Sequence, residues 1–129
     1  MHAVANVLAW GRQVNTEHYD VDLAFRNSSV WILSFNTEID GTHFHVADGS
    51  KLEVLGGLYY QGGPHTKAPV VIARDSRIRV TMSAFGGNNP SETILEDQRG
   101  EKKTILGRDR FPLVRPENPT MPVIPLLVN

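Results

Sequence analysis

Apolar and polar residues alternate along this chain in short runs, and the runs recur. Val30 and Ile32, Leu52 and Val54, and Ile78 and Val80 take one side of their predicted strands, while Trp31, Glu53 and Arg79 take the other. Alternation with β-branched residues after a turn residue predicts strands. A similar phrase opens each run: Asn27-Ser28-Ser29-Val30-Trp31-Ile32, Gly49-Ser50-Lys51-Leu52-Glu53-Val54 and Asp75-Ser76-Arg77-Ile78-Arg79-Val80. Ser28 to Ser50 is 22 positions and Ser50 to Ser76 is 26. Val14-Asn15-Thr16-Glu17 likewise returns 21 positions later as Phe35-Asn36-Thr37-Glu38. Further strands are predicted ahead of each phrase, at Asp22-Leu23-Ala24-Phe25, His43-Phe44-His45-Val46 and Val70-Val71-Ile72-Ala73. Leu23 to Phe44 and Phe25 to Val46 are both 21 positions.

A strand-rich period of about 20–30 residues marks stacked β units. The predicted fold is all-β: a short parallel β-helix of about four rungs over residues 1–87, a β-hairpin in 88–110 and an extended proline-rich tail over 111–129, in one domain. Equivalent strands would stack about 4.8 Å apart, with inward residues in apolar ladders. Setting Val7-Leu8-Ala9-Trp10 22 positions before Ser29-Val30-Trp31-Ile32 gives an inner ladder of Leu8, Val30, Leu52 and Ile78. The outward neighbours are then Ala9, Trp31, Glu53 and Arg79, where Glu53 and Arg79 can pair for about 0.2–1 kcal/mol. The repeat is expected to stop after Phe85, at the turn cluster Gly86-Gly87-Asn88-Asn89-Pro90. Glu92–Glu96 and Lys102–Leu106 then flank Asp97-Gln98-Arg99-Gly100 as a hairpin. The tail carries Pro112, Pro116, Pro119, Pro122 and Pro125, and its Pro125-Leu126-Leu127-Val128 is apolar enough to dock on the body of the protein. No helical pattern is evident.

Composition narrows the function classes. The chain has 129 residues and a formal charge of −1. With no basic run, it gives no electrostatic case for nucleic acid as a partner. There is no cysteine, hence no disulfide framework, thiolate metal site or cysteine nucleophile. No apolar run approaches the roughly 18 residues of a membrane span, and the first residues lack the charged-then-apolar order of a signal peptide. A soluble chain with no membrane partner is expected, extracytoplasmic if it is part of a longer secreted protein. No Gly-x-Ser-x-Gly elbow or zinc-protease motif occurs. Gly56-Gly57 and Gly62-Gly63 are followed by no phosphate-binding pattern and are expected at tight corners.

Several segments resemble the C-terminal portion of the pectate lyase superfamily, the right-handed parallel β-helix proteins that include polysaccharide lyases and related glycoside hydrolases. They are Ala9-Trp10-Gly11-Arg12-Gln13-Val14-Asn15-Thr16-Glu17, Val30-Trp31-Ile32-Leu33-Ser34-Phe35-Asn36-Thr37-Glu38 and Leu52-Glu53-Val54-Leu55-Gly56-Gly57-Leu58-Tyr59-Tyr60. The hairpin and the closing Pro-Leu-Leu-Val also sit where that family ends. Asn36 departs from the lysine the pattern leads one to expect. The resemblance implies a right-handed β-helix and a polysaccharide-directed parent protein. Catalysis in that family lies in central rungs, whereas this chain resembles the closing part, so the fold transfers more safely than the activity.

Glu17 and Glu38 are the candidate catalytic pair. On adjacent rungs their carboxylates would stand roughly 5 Å apart, the separation used by retaining glycosidases, and mutual repulsion would leave an acid beside a base. The competing reading is a structural ladder bonding turn amides or Arg12, because repetition serves stacking whereas catalysis needs two unlike environments. Asp20, Asp22, Glu38 and Asp40 could supply oxygens to calcium, but their spacing matches no calcium loop, and no cofactor is predicted. Arg12 is the one basic residue near these acids in sequence. His43 and His45 could share a metal; with no third ligand evident, exposed strand histidines are the plainer expectation. Trp31, with Trp10 one rung earlier, Arg12, Tyr59 and Tyr60, could contact sugar rings; the alternative is burial under the tail or a partner.

A stack of strands leaves an unpaired edge at each end, and bare edges recruit other chains. The hairpin and tail are expected to cover one end. The other is expected to meet upstream rungs of a longer chain or a second copy. The leading expectation is therefore a non-catalytic terminal module that caps, stabilises and contacts carbohydrate. The alternatives are a small glycoside hydrolase or lyase using the paired carboxylates, and a phage or cell-surface structural module.

Overall fold

The computed structural model describes residues 2–3, 7–11, 14–16, 21–38, 41–60, 67–85, 92–111 and 123–128, with side chains over 23–38, 41–58, 67–83 and 92–111. The strands are β1 (His2–Ala3), β2 (Val7–Gly11), β3 (Val14–Thr16), β4 (Val21–Arg26), β5 (Ser28–Ile32), β6 (Phe35–Thr37), β7 (Thr42–Ala47), β8 (Lys51–Tyr60), β9 (Val71–Arg74), β10 (Arg77–Phe85), β11 (Thr93–Arg99), β12 (Lys102–Gly107) and β13 (Val123–Val128). The protein is all-β. Among the described residues the one helical piece is a 3₁₀ turn at Arg108–Arg110.

The chain passes repeatedly from one of two sheets to the other and back. The first runs β1-β4-β7-β9-β11-β12 and the second β13-β10-β8-β5-β2, with β3 joined to the second through β6. Pairing from β1 through β11 is parallel in the first sheet, and from β2 through β10 in the second. Leu23, Phe44, Val71 and Leu95 form one ladder, and Val30, Leu52 and Ile78 another. All seven are at most 4% exposed, and they meet in one core with Phe25, Ile32, Phe35, Val46, Val54 and Val80. Each such side chain contributes about 1.5–3 kcal/mol by leaving water.

The recurrent serine has a physical cause. Ser50 Oγ donates to the Ala47 carbonyl (2.5 Å) and accepts the Ser28 N–H (3.1 Å). Ser76 Oγ donates to the Arg74 carbonyl (2.8 Å) and accepts the Ser50 N–H (3.1 Å). Ser28 Oγ closes its own turn on the Arg26 carbonyl (2.6 Å). The three serines lie buried where the chain passes from one sheet to the other. The Ser50 hydroxyl thus supplies a buried acceptor to the Ser28 N–H, and the Ser76 hydroxyl a second one to the Ser50 N–H beside the Ala47 carbonyl at 3.3 Å. The residue turning the chain ahead of each has positive φ: Asn27 (45°), Asp75 (46°), and Asp48 with Gly49 (57° and 74°). Asn, Asp and Gly are the residues that tolerate this region.

The same turns set the spacing. Phe25 to Val46 is in register at 21 positions. The Asp48-Gly49 turn holds one residue more than the Asn27 turn, so the offset becomes 22 at Val30–Leu52. Phe44 to Val71 is 27, and the shorter Asp75 turn returns it to 26 at Leu52–Ile78.

Four expectations need correction. The first ladder is shifted by one: Ala9, not Leu8, stands opposite Val30, and Trp10 rather than Ala9 stands opposite Trp31. The 22-residue step belongs to the longer Asp48-Gly49 turn and does not extend upstream, where β2–β5 and β3–β6 keep 21. The stacking does not stop after Phe85, because β11 continues the first sheet in parallel on β9. The hairpin link is shorter than expected: β11 and β12 stay paired to Arg99–Lys102, leaving Gly100-Glu101. Gly100 supplies φ +54° for this two-residue link, and its N–H donates to Asp75 Oδ1 at 2.8 Å. Finally, His43 is buried rather than exposed. The His43 and Phe44 N–H groups both converge on the Val70 carbonyl (2.8 and 3.3 Å), and strict alternation fails at this end of β7 although its register to β4 and β9 is kept. Both rings then pack on Phe35, with centroids 5.7 and 4.6 Å away.

Antiparallel strands finish both sheets at one end, β12 beside β11 and β13 beside β10. Pro125 and Leu126 together stand against Thr81 alone. The proline, which cannot donate to a ladder, thus sits in a bulge of an edge strand.

Candidate functional site

The outer face of the second sheet carries the richest side-chain chemistry among the described residues. It is built by alternation: in β8 and β10 Leu52, Val54, Ile78 and Val80 point into the core, so Lys51, Glu53, Leu55, Arg77, Arg79 and Thr81 point out. Trp31, Glu53 and Arg79 form one outward row, and Ser29, Lys51 and Arg77 the next. Trp31 is half-buried and borders a shallow pocket of about 170 Å³ with Lys51, Glu53, Arg77 and Arg79. Leu33, Leu55 and Leu58 are exposed. Leu58 stands beside Asn36 and Ser83.

The expected Glu53–Arg79 pair is present, with Arg79 Nη1 3.6 Å from Glu53 Oε1. The arginine side chain is 62% exposed, so this pair contributes about 0–1 kcal/mol.

Sharp backbone geometry ends the row. In β8, Gly56 and Gly57 together oppose Met82 of β10. A Cβ on Gly57 would stand 2.6 Å from the Phe35 carbonyl oxygen, and Gly56 has φ 143°. The corner expected at Gly56-Gly57 is thus a place where β8 approaches β6 too closely for any side chain. Gly62-Gly63 lies outside the described residues.

Of the carboxylate pair, Glu38 is exposed just past β6, while Glu17 lies outside the described residues, as does Arg12. The register that leads toward the pair is present: Val14, Asn15 and Thr16 stand opposite Phe35, Asn36 and Thr37. Asp20 and Asp40 also lie outside the described residues, and Asp22 is described in backbone alone. Tyr59 and Tyr60 close β8 opposite Ala84 and Phe85, their side chains outside the described set. Trp10 is in register with Trp31, its side chain likewise outside. His18 and His65 are not described. Among the described residues no group of three or more His, Asp or Glu could hold a metal ion.

His45 lies on the first sheet, between Ala24 and Ile72. Its Nε2 is buried with no hydrogen-bond partner. Burial, and then the charges of Arg74 and Arg26, push its pKa below the usual histidine value, against a smaller upward pull from Asp48.

Sequence reasoning missed Lys51 and Arg77. The signal was available, since the aligned phrases Gly49-Ser50-Lys51-Leu52-Glu53 and Asp75-Ser76-Arg77-Ile78-Arg79 stack the two cations as directly as they stack Glu53 and Arg79. No family model, curated protein or solved structure matches this chain.

Proposed function

We propose that the chain is a short right-handed parallel β-helix of about four rungs, serving as the non-catalytic terminal module of a polysaccharide-directed protein. In this reading it caps and stabilises the stack, and it contacts carbohydrate through the outer face around Trp31. The observation that carries the reading is the repeated passage of the chain between two sheets of parallel, in-register strands that are both finished by antiparallel strands. The right-handed sense follows from the general handedness of parallel crossovers. Trp31 supports the sugar contact, because a half-buried indole with charged neighbours offers an apolar face and a polar rim. The partners in this reading are sugar at the Trp31 face and, along the β1 and β2 edge, further rungs of a longer chain or a second copy.

Affinity electrophoresis in gels containing different polysaccharides, run beside assays for reducing ends and unsaturated products, tests this reading. The expected result is retardation in at least one gel, lost in Trp31→Ala with an unchanged circular dichroism spectrum, and no product from the chain alone. Absence of retardation in every gel contradicts the sugar contact. The β3–β6 register favours one second reading, a glycoside hydrolase or lyase using Glu17 and Glu38. Product release that Glu38→Gln abolishes without loss of folding would establish it.

A further inference from the structure

Lys51 and Arg77 are direct partners in a parallel ladder, on strands about 4.8 Å apart. Both side chains are exposed on the same face. Like charges placed directly opposite are destabilising, and among the described residues neither cation has a carboxylate within ion-pair distance. The next row solves the same problem differently, with Glu53 between Trp31 and Arg79.

Two shallow pockets share these cations. One, of about 170 Å³, adds Trp31, Glu53 and Arg79. The other, of about 290 Å³, adds Ser50, Asp75, Ser76 and Arg99. The acids in both pockets are already engaged, Glu53 by Arg79 and Asp75 by the Gly100 N–H. Ser29, half-buried, flanks Lys51 on its other side and offers a hydroxyl.

From this arrangement we infer that Lys51 and Arg77 form a site for a single oxyanion, a sulfate, phosphate or carboxylate group, seated between the two strands. The anion accepts charge-assisted hydrogen bonds from the ammonium and the guanidinium, and the planar guanidinium can hold two of its oxygens at once. It also removes the repulsion that the register imposes. The site stands on its own geometry. That the oxyanion is carried on a sugar, with the ring against Trp31, rests in addition on the proposed function.

Amide chemical shifts of the ¹⁵N-labelled full chain, titrated with sodium sulfate against sodium chloride at equal ionic strength, test the site. The same titration with a sulfated or carboxylated oligosaccharide and with its neutral counterpart separates the sources. The expected result is a saturable shift, specific to sulfate, centred on residues 50–52 and 76–78. Lys51→Gln should weaken it by at least about tenfold, one lost charge-assisted bond. Lys51→Glu, which pairs with Arg77, should abolish it while raising the unfolding midpoint in sulfate-free buffer. Saturation by the acidic oligosaccharide but not by sulfate supports the site and assigns the oxyanion to a sugar. Shifts that never saturate, or that persist unchanged in Lys51→Gln, overturn the inference. Equal binding of neutral and acidic oligosaccharides overturns the placement of the oxyanion on a sugar, while the sulfate titration alone decides the site and the proposed sugar contact stands.

Discussion

Replacing Ser50 with alanine probes the stacked turns most sharply. Its hydroxyl is fully buried, donates to the Ala47 carbonyl and accepts the Ser28 N–H. Alanine keeps the backbone and nearly the volume but leaves a donor on one strand and an acceptor on the next without that partner. An unpaired buried backbone group costs about 1–3 kcal/mol. Ser50→Ala should therefore lower stability by about 2 kcal/mol, a large part of the 5–15 kcal/mol typical of a domain. The assay is equilibrium urea unfolding, with the midpoint falling at unchanged slope, because the surface exposed on unfolding is the same. Ser76→Ala removes the nearer of two acceptors of the Ser50 N–H and leaves it the Ala47 carbonyl at 3.3 Å, so it should lose less. The two together should depart from the sum, because they share one chain of hydrogen bonds. A Ser50→Ala midpoint within about 0.5 kcal/mol of the parent, the range of an ordinary surface change, would refute the reasoning.

Gly57→Ala forces a Cβ to within 2.6 Å of the Phe35 carbonyl, and should cost about 1–3 kcal/mol; an unchanged thermal midpoint would mean that β6 and β8 are not so close. Glu53→Gln breaks a largely exposed ion pair and should change stability by less than about 1 kcal/mol in low salt, whereas a larger loss would make the outer row a structural element. His45 has a folded-state pKa below its ordinary 6.5, so the unfolded chain binds the proton more readily. Its contribution to stability is then lost as pH falls through about 6.5 and levels off below the folded value. Urea midpoints measured across that range should show a shallower acid-side decline in His45→Gln, and parallel curves would contradict the assignment.

Much of the strand architecture was legible because one period governs it. Alternation named the inward residues Val30, Leu52 and Ile78, and the recurring phrase supplied their register. What escaped depended on single residues that break the period. One extra residue in the Asp48-Gly49 turn moved the offset from 21 to 22, which misplaced Leu8 against Val30. At His43, whose N–H shares the Val70 carbonyl with Phe44, a side chain that alternation would leave outside is buried. The 22-residue step was legible from Val30 to Leu52, but nothing in the hydrophobic pattern confines it to that one turn, and the His43 irregularity lies in a backbone hydrogen bond to a distant carbonyl that such a pattern does not record. The cationic pair was readable, but only by comparing outward positions between phrases as closely as the inward ones. Glu17 and Arg12 lie outside the described residues, so the carboxylate pair rests on the β3–β6 register alone.

The central claim is that residues a little over twenty positions apart are parallel neighbours. Nuclear Overhauser contacts between backbone protons of the labelled chain measure this directly. The account predicts cross-strand contacts linking the neighbourhood of Val30 to that of Leu52 and of Leu52 to that of Ile78. The partner number should rise along each strand, so that Val54 meets Val80. Contacts in which the partner number falls as the strand advances, or contacts joining these strands to unrelated segments, would contradict it.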